Sequence, residues 1–438
     1  MQAISEAGGM LPAAYQLCGS VLTLSKARIQ PELMAVLAPT EFFGTETLQN
    51  PYPLYDQMRA EAPVHRIGDS SFYAVCGWDA VIEAVNRVQD FSSNLTATMV
   101  YHDDGTVTAY HMGEPGAAMH ALATADDPVH AAHRKILLPH LSAKRVRTIA
   151  EFAAHTADYL WDENLRDGHI EWTSATANRL PMMVVAKLLG LPDTDVENLI
   201  RLGFATTTLL DGVVTHAQLD AAGVAAMELS GYIMERLEKA TTGASAPGLI
   251  SDLAQRYASG EVDQIVALGI MLTLFSAAGE STASLLGSAA WVLADRPEIQ
   301  KEVRANPELL NAFLEEVLRF EAPFRGHYRH VWRDTTLDGA VLPANSHLLL
   351  MWGAANRDPS HFEVPHEFRL DRSGAKGQLT FGKGVHFCVG AALARLEAQI
   401  VLQKLLARTA WIEAADVGEW LPSILVRRLN RLELAVQS

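Results

Sequence analysis

Phe381-Gly382-Lys383-Gly384-Val385-His386-Phe387-Cys388-Val389-Gly390 places one cysteine in a glycine-punctuated loop, directly ahead of Leu393, Leu396, Ile400, Leu405 and Leu406 at helical spacing. The first turn of a helix offers unpaired backbone N–H groups and positive potential, both of which favour an anionic sulfur. Gly390 is expected to let the backbone come close to that sulfur. Most lone cysteines before a helix are buried structural residues. The flanking pattern sets this one apart, because it suits a metal-bound thiolate.

The other cysteines are Cys18 and Cys76, an odd total at wide spacing, with neither a CxxC pair nor a Cys/His zinc pattern. That argues against a disulfide framework and for a reducing cytoplasm. Across 438 residues, 51 acidic and 35 basic side chains leave a net charge of -16. Such a balance favours solubility and opposes non-specific binding to nucleic acid or to an anionic membrane. The N-terminus has no basic residue before Lys26, and the stretch from Met10 to Leu24 is interrupted by Pro12, Gln16 and Gly19, so no signal peptide or membrane anchor is expected. The apolar run from Ile265 to Leu293 carries Glu280, Ser281, Thr282, Ser284 and Ser288, which points to a helix buried in a large domain and not to a span.

Residues 1 to 40 lack sustained periodicity and are expected to form a flexible extension; 41 to 438 read as one domain. A short helix follows Asn50-Pro51-Tyr52-Pro53, a strand covers Phe72 to Cys76, and a second helix runs from Trp78 to Val88. Residues 94 to 122 read as a long, functional loop. Helical patterns dominate from Pro128 to Phe320, broken near Pro192 and from Ala240 to Pro247. Short extended pieces between Val341 and Met351, and a coil from Asn356 to Lys383, precede the last helix.

The decapeptide resembles, residue for residue, the Phe-Gly-x-Gly-x-His-x-Cys-x-Gly haem-binding loop of the cytochrome P450 superfamily. The resemblance runs over roughly residues 45 to 438 and is nearest to the soluble, actinobacterial-type members. It implies a mainly α fold, a helical prism with small β-sheets, in which haem b lies between the long central helix and the cysteine loop. Cys388 would then be the iron ligand, with Phe381, Gly382 and Gly390 around it. A thiolate ligand pushes electron density onto iron and favours O–O cleavage.

Three further patterns join this one. Glu316-Val317-Leu318-Arg319 alone reads as an ion pair on a helix surface; it is similar to the family's Glu-x-x-Arg, with Arg372 as the third, scaffolding member. His130 and Arg134, four residues apart on one helical face, could bind a carboxylate; in the resemblance they reach the haem propionates together with Arg329 and His386. Ala277-Ala278-Gly279-Glu280-Ser281-Thr282 puts an acid and hydroxyls inside an apolar helix, poor choices for a purely structural core. The family pattern gives that acid and the following hydroxyl the handling of protons for dioxygen. This chain has Ala278 for the usual glycine and Ser281 for the usual threonine; Glu280, Ser281 and Thr282 are the candidate catalytic residues, though Thr282, about a third of a turn from Ser281, is not expected to substitute for it.

The activity implied is haem-thiolate monooxygenation, one atom of O2 entering an apolar small molecule. The chain has neither a dinucleotide fingerprint nor cysteines for an iron–sulfur cluster, so a separate ferredoxin and an NAD(P)H-dependent ferredoxin reductase are expected to supply electrons. Lys135, Lys144, Arg145, Arg147, Lys383 and Arg395 are candidates for a basic docking face. Met99, Leu209, Leu210, Phe324, His327 and Ile424 are expected to touch substrate. A haem-dependent sensor is the rival from another class. A peroxide-driven peroxygenase is the rival enzyme, though it would be expected to carry an arginine where Glu280 stands.

Overall fold

A computed structural model of the chain describes residues 34–112, 120–211, 215–243 and 248–437. Residues 34–438 form one compact unit; the extension anticipated over residues 1 to 40, and the absence of a signal or anchor, fall mostly outside the described residues. Its last part does not. Ala35–Leu37 is a strand paired in parallel with Val64–Ile67, so the fold begins earlier than residue 41.

The central helix, Gln264–Asp295, is about 48 Å long at the usual rise. It is long and apolar enough to cross a membrane by length and composition. Here it is the core helix, packed against Arg179–Leu189, Val196–Thr207, Leu310–Phe320 and Ala391–Arg408. From Thr282 to Ala290 every residue is buried, which explains an apolar composition without an apolar stripe. Helix Arg179–Leu189 stops where Gly190 turns left-handed at φ 81°, ahead of Pro192, as the sequence break suggested.

Six strands form the largest sheet, in the order Ala35–Leu37, Val64–Ile67, Phe72–Val75, His347–Leu350, His327–Val331 and Phe91–Ser92. Its inner members are buried almost throughout. His327–Val331 pairs antiparallel with His347–Leu350, setting Arg329 opposite Leu348 and His327 opposite Leu350.

The segment read as a loop over 94 to 122 instead contains a β-hairpin, Ala97–Tyr101 with Val107–His111. Asp104-Gly105 at its tip, with Gly105 at φ 84°, was the available signal. Residues 113–119 lie outside the described residues.

From Asn356 to Lys383 the chain holds no α-helix or strand. Its backbone is organised by buried charge. Glu316 accepts from Arg319 (Nη2 at 2.7 Å, Nε at 2.8 Å) and from Arg372 Nε at 2.9 Å. Arg319 also donates to the carbonyls of Asn356, Pro365 and Glu367, and Arg372 to those of Glu363, Val364 and Glu367. Far from a surface pair, Glu316 and Arg319 are fully buried.

Candidate active site

The coil and the central helix enclose a deep cleft with about 1600 Å³ of atom-free space, part of it open to solvent. One helical face of Gln264–Asp295 forms a wall through Thr273, Leu274, Ala277, Ala278, Ser281, Thr282 and Leu285, spaced as residues on one side of a helix must be. Opposite stand Phe381, Gly382, His386, Cys388 and Gly390. His130, Arg134, Phe324, His327 and Arg329 complete the enclosure.

Cys388 is held by its own amide, which donates to Phe381 O at 2.8 Å, while Gly382 and Gly384 take the left-handed turns at φ 67° and 71° that shape the loop. Its sulfur opens onto the cleft. Burial pushes the thiol up, against the N–H groups of Gly390 and Ala391 and the guanidiniums of Arg134 and Arg395, which pull it down. The helix start therefore does not ionise this sulfur alone, and a coordinated cation would complete the deprotonation. Gly390 is also not needed for closeness. Its φ is -86°, and a Cβ there would sit at an ordinary 3.8 Å from the sulfur.

On the flank, Arg329 is buried, and the carbonyl of its own neighbour Tyr328 is the one acceptor its guanidinium finds among the described residues. Burial holds this guanidinium down to about 10. His386 has a buried Nδ1 without a partner, and burial, with Arg329 and His130 adding to it, keeps its ring down to about 3. Both effects favour the neutral ring, which has one N–H to give. The His130 ring lies 4.1 Å from that of His386, tilted by 36°, and bonds Asp127 at 3.1 Å; Arg134 donates to Phe387 O. A buried guanidinium and an orphaned imidazole nitrogen beside a thiol suit a flat metal macrocycle bearing carboxylates. The residues fit haem.

The distal residues divide. Ser281 and Thr282 both line the cleft, which is wider than one residue's arc of the helix, so Thr282 can stand in for Ser281 after all. Ser281 Oγ donates back to Ala277 O at 2.6 Å. The Thr282 hydroxyl has no hydrogen-bond partner among the described residues. Glu280 does not line the cleft. It is buried on the neighbouring side, 3.2 Å from both Nε and Nη2 of Arg428. Burial raises its carboxyl, while Arg428 and the Thr207 hydroxyl oppose the rise.

Four expected substrate contacts are also elsewhere. Met99 and Ile424 are buried in an apolar cluster against which Leu209 and Leu210 pack. The hairpin strand carries Met99 into that cluster, and the Thr98 hydroxyl ties it to Leu209 O at 3.0 Å. Phe324 and His327 do reach the cleft.

Residues 249–424 match the cytochrome P450 family. Over 407 residues the chain is 63% identical to cytochrome P450 144 of Mycobacterium tuberculosis, covering 93% of this chain and 94% of that protein. The chain belongs to the cytochrome P450 family. It is also 32% identical to the cytochrome P450 monooxygenase PikC of Streptomyces venezuelae, over 89% of this chain and 92% of that one. Its fold matches the testosterone complex of CYP109E1 from Bacillus megaterium with a TM-score of 0.80 at 26% identity, covering 90% of this chain and 99% of the other. Cytochromes P450 bind haem b through a cysteine, and this chain is a haem monooxygenase.

Glu397, which the sequence reading did not single out, also lines the cleft, from helix Ala391–Arg408. It is buried, its Oε2 has no partner, and burial raises its carboxyl well above the usual range. A carboxyl raised on folding stabilises the fold most below the ordinary carboxylate range, and that contribution is lost as pH rises through the folded value. Glu397→Gln should therefore be at least as stable as the parent at neutral pH and lose less stability between acid and mildly alkaline pH. Urea midpoints measured across that range check this; identical pH profiles for the two proteins would refute it.

Proposed function

We propose that Cys388 is the haem ligand, that His130, Arg134, Arg329 and His386 hold the propionates, and that the substrate is an apolar small molecule. The observation that carries this reading is the cleft itself, with a thiol on one wall and unsatisfied carboxylate-binding groups on its flank. Bound through a thiolate, haem supplies reductive activation of dioxygen. The cleft wall of Leu122, Leu137, Val185, Leu188, Leu274 and Phe324, relieved by a few hydroxyls and His327, favours lipid-like or terpenoid compounds. The steroid held by the Bacillus megaterium relative is of that character.

The polypeptide's part is to position and to move protons. Ser281 gives its proton to Ala277 O, so its oxygen can only accept from a cleft water; the Thr282 hydroxyl keeps both roles. Glu280, held by Arg428 behind them, is a buried carboxyl whose raised pKa suits it to hold a proton. Electrons would come from a separate ferredoxin and its NAD(P)H-dependent reductase, in the cytoplasm, a setting consistent with Cys76 as a buried free thiol. Lys135, Lys144, Arg147 and Lys383 are exposed, Lys135 in a surface depression shared with Leu138 and Val385, and they support a docking face for an acidic donor. Arg395 is not part of it, being spent on Glu315 at 2.5 Å and on the Phe381 ring.

The purified protein should bind one haem b, and its ferrous carbon monoxide complex should show the strongly red-shifted Soret band of thiolate ligation. Cys388→Ala must abolish that band; its survival would remove Cys388 as ligand. Reduction by an acidic ferredoxin should slow as salt rises, since screening shortens to roughly 8 Å at physiological ionic strength; a salt-independent rate would sink the docking face. With a substrate in hand, Thr282→Val should divert more NADH to hydrogen peroxide than Ser281→Ala. A Thr282→Val protein that couples like the parent would return the role to Ser281.

A further inference from the structure

His327 opens a strand of the large sheet, and Trp352 begins the short helix that leaves the strand paired with it. The indole Nε1 of Trp352 lies 2.6 Å from His327 Nδ1. An indole nitrogen can only donate, so Nδ1 must accept, and an imidazole with a bare Nδ1 carries its proton on Nε2. The usual ambiguity of a histidine tautomer is removed by the chemistry of its partner. Burial, with Arg329 adding to it, holds this ring down to about 4, so it is uncharged near neutrality.

The ring is also fixed in place. Trp352 is buried. Gly326 lets the chain pass so close to the neighbouring strand that a Cβ there would lie 2.7 Å from Leu350 O. Arg325 is clamped on both sides, its amide donating to Leu425 O and its carbonyl accepting from Gly353 N. The Phe324 ring meets the imidazole edge-to-face at 5.6 Å. Nε2 has no hydrogen-bond partner among the described residues, and His327 lines the cleft on the same strand face as Arg329.

We propose that His327, locked by Trp352, presents one fixed Nε2–H donor to an oxygen acceptor lodged in the cleft. The cleft would then favour molecules bearing a carbonyl, ether or carboxylate oxygen over hydrocarbons of equal length. Trp352, itself on the cleft wall, acts here as a positioning residue, its indole N–H setting which imidazole nitrogen is protonated. The inference rests on the cleft being the haem and substrate cavity. A haem propionate offers the same acceptor chemistry as a substrate oxygen, and the two sources separate by experiment.

The ferric holoenzyme is titrated with undecane and with the methyl ketone of equal chain length, following the Soret shift, and haem loss to a scavenger protein is timed in parallel. The parent should bind the ketone about three- to tenfold more tightly, the range of one hydrogen bond. His327→Phe should bind both alike, His327→Gln should keep part of the preference, and Trp352→Phe should lose most of it because the proton can then sit on either nitrogen. If the parent shows no ketone preference but His327→Phe releases haem several-fold faster, the acceptor is a propionate and the donor assignment stands. No ketone preference together with unchanged haem release in His327→Phe overturns the proposal. A parent without a haem Soret band would instead defeat the haem reading on which it rests.

Discussion

The carboxylate of Glu316 is the point on which the proximal half of the molecule depends. It is fully buried, and Arg319 and Arg372 both donate to it. An unpaired charge in such a place would cost several kcal/mol, so the cluster stands or falls together. Its wider effect comes from the remaining guanidinium N–H groups. They satisfy carbonyls of a segment that has no ladder of its own, where each unmet group would be a penalty. Asn356 extends the same logic, accepting from Leu379 N and donating to Thr380 Oγ1. The coil thus reaches the Cys388 loop in one defined path.

That path faces a helix of different character. Gln264–Asp295 is apolar nearly all round because neighbours cover most of it, and its polar residues mark where the cover ends. Ser284 is tied to the carbonyl of Arg427, Glu280 to the Arg428 guanidinium, and Ser281 to its own backbone. The C-terminal loop therefore braces the distal helix and, through Leu425, the wall that carries Phe324 and His327. One loop, distant in sequence from both, aligns the acid and the imidazole.

Electrostatics in the cleft follow burial more than charge count. Despite a net charge of -16, the flank gathers Arg134, Arg329 and two imidazoles, while the buried carboxyls of Glu280 and Glu397 are pushed toward neutrality. His386 and His327 are pushed the other way, toward the uncharged ring. The site thus offers oriented dipoles and single N–H donors more than mobile charges, an arrangement suited to a dry cavity.

Much was legible in the residues alone. The loop around Cys388, the His130–Arg134 face and the long apolar helix are short-range patterns in which spacing along the chain is spacing in space, so the sequence determined the fold and the kind of site; Arg372, 56 residues from Glu316, was reached only through the family resemblance. Tertiary structure decided what depends on distant partners. Glu280 turns to Arg428, Arg395 to Glu315, and Met99, Leu209, Leu210 and Ile424 to one another, because a side chain's direction is set by what packs against it and no periodicity records that. The hairpin at Asp104-Gly105 has a local signal of its own, an Asp-Gly pair with Gly105 in the left-handed region. That Thr282 shares the cleft with Ser281, and that Trp352 fixes the proton of His327, follow from contacts the chain makes only once it is folded.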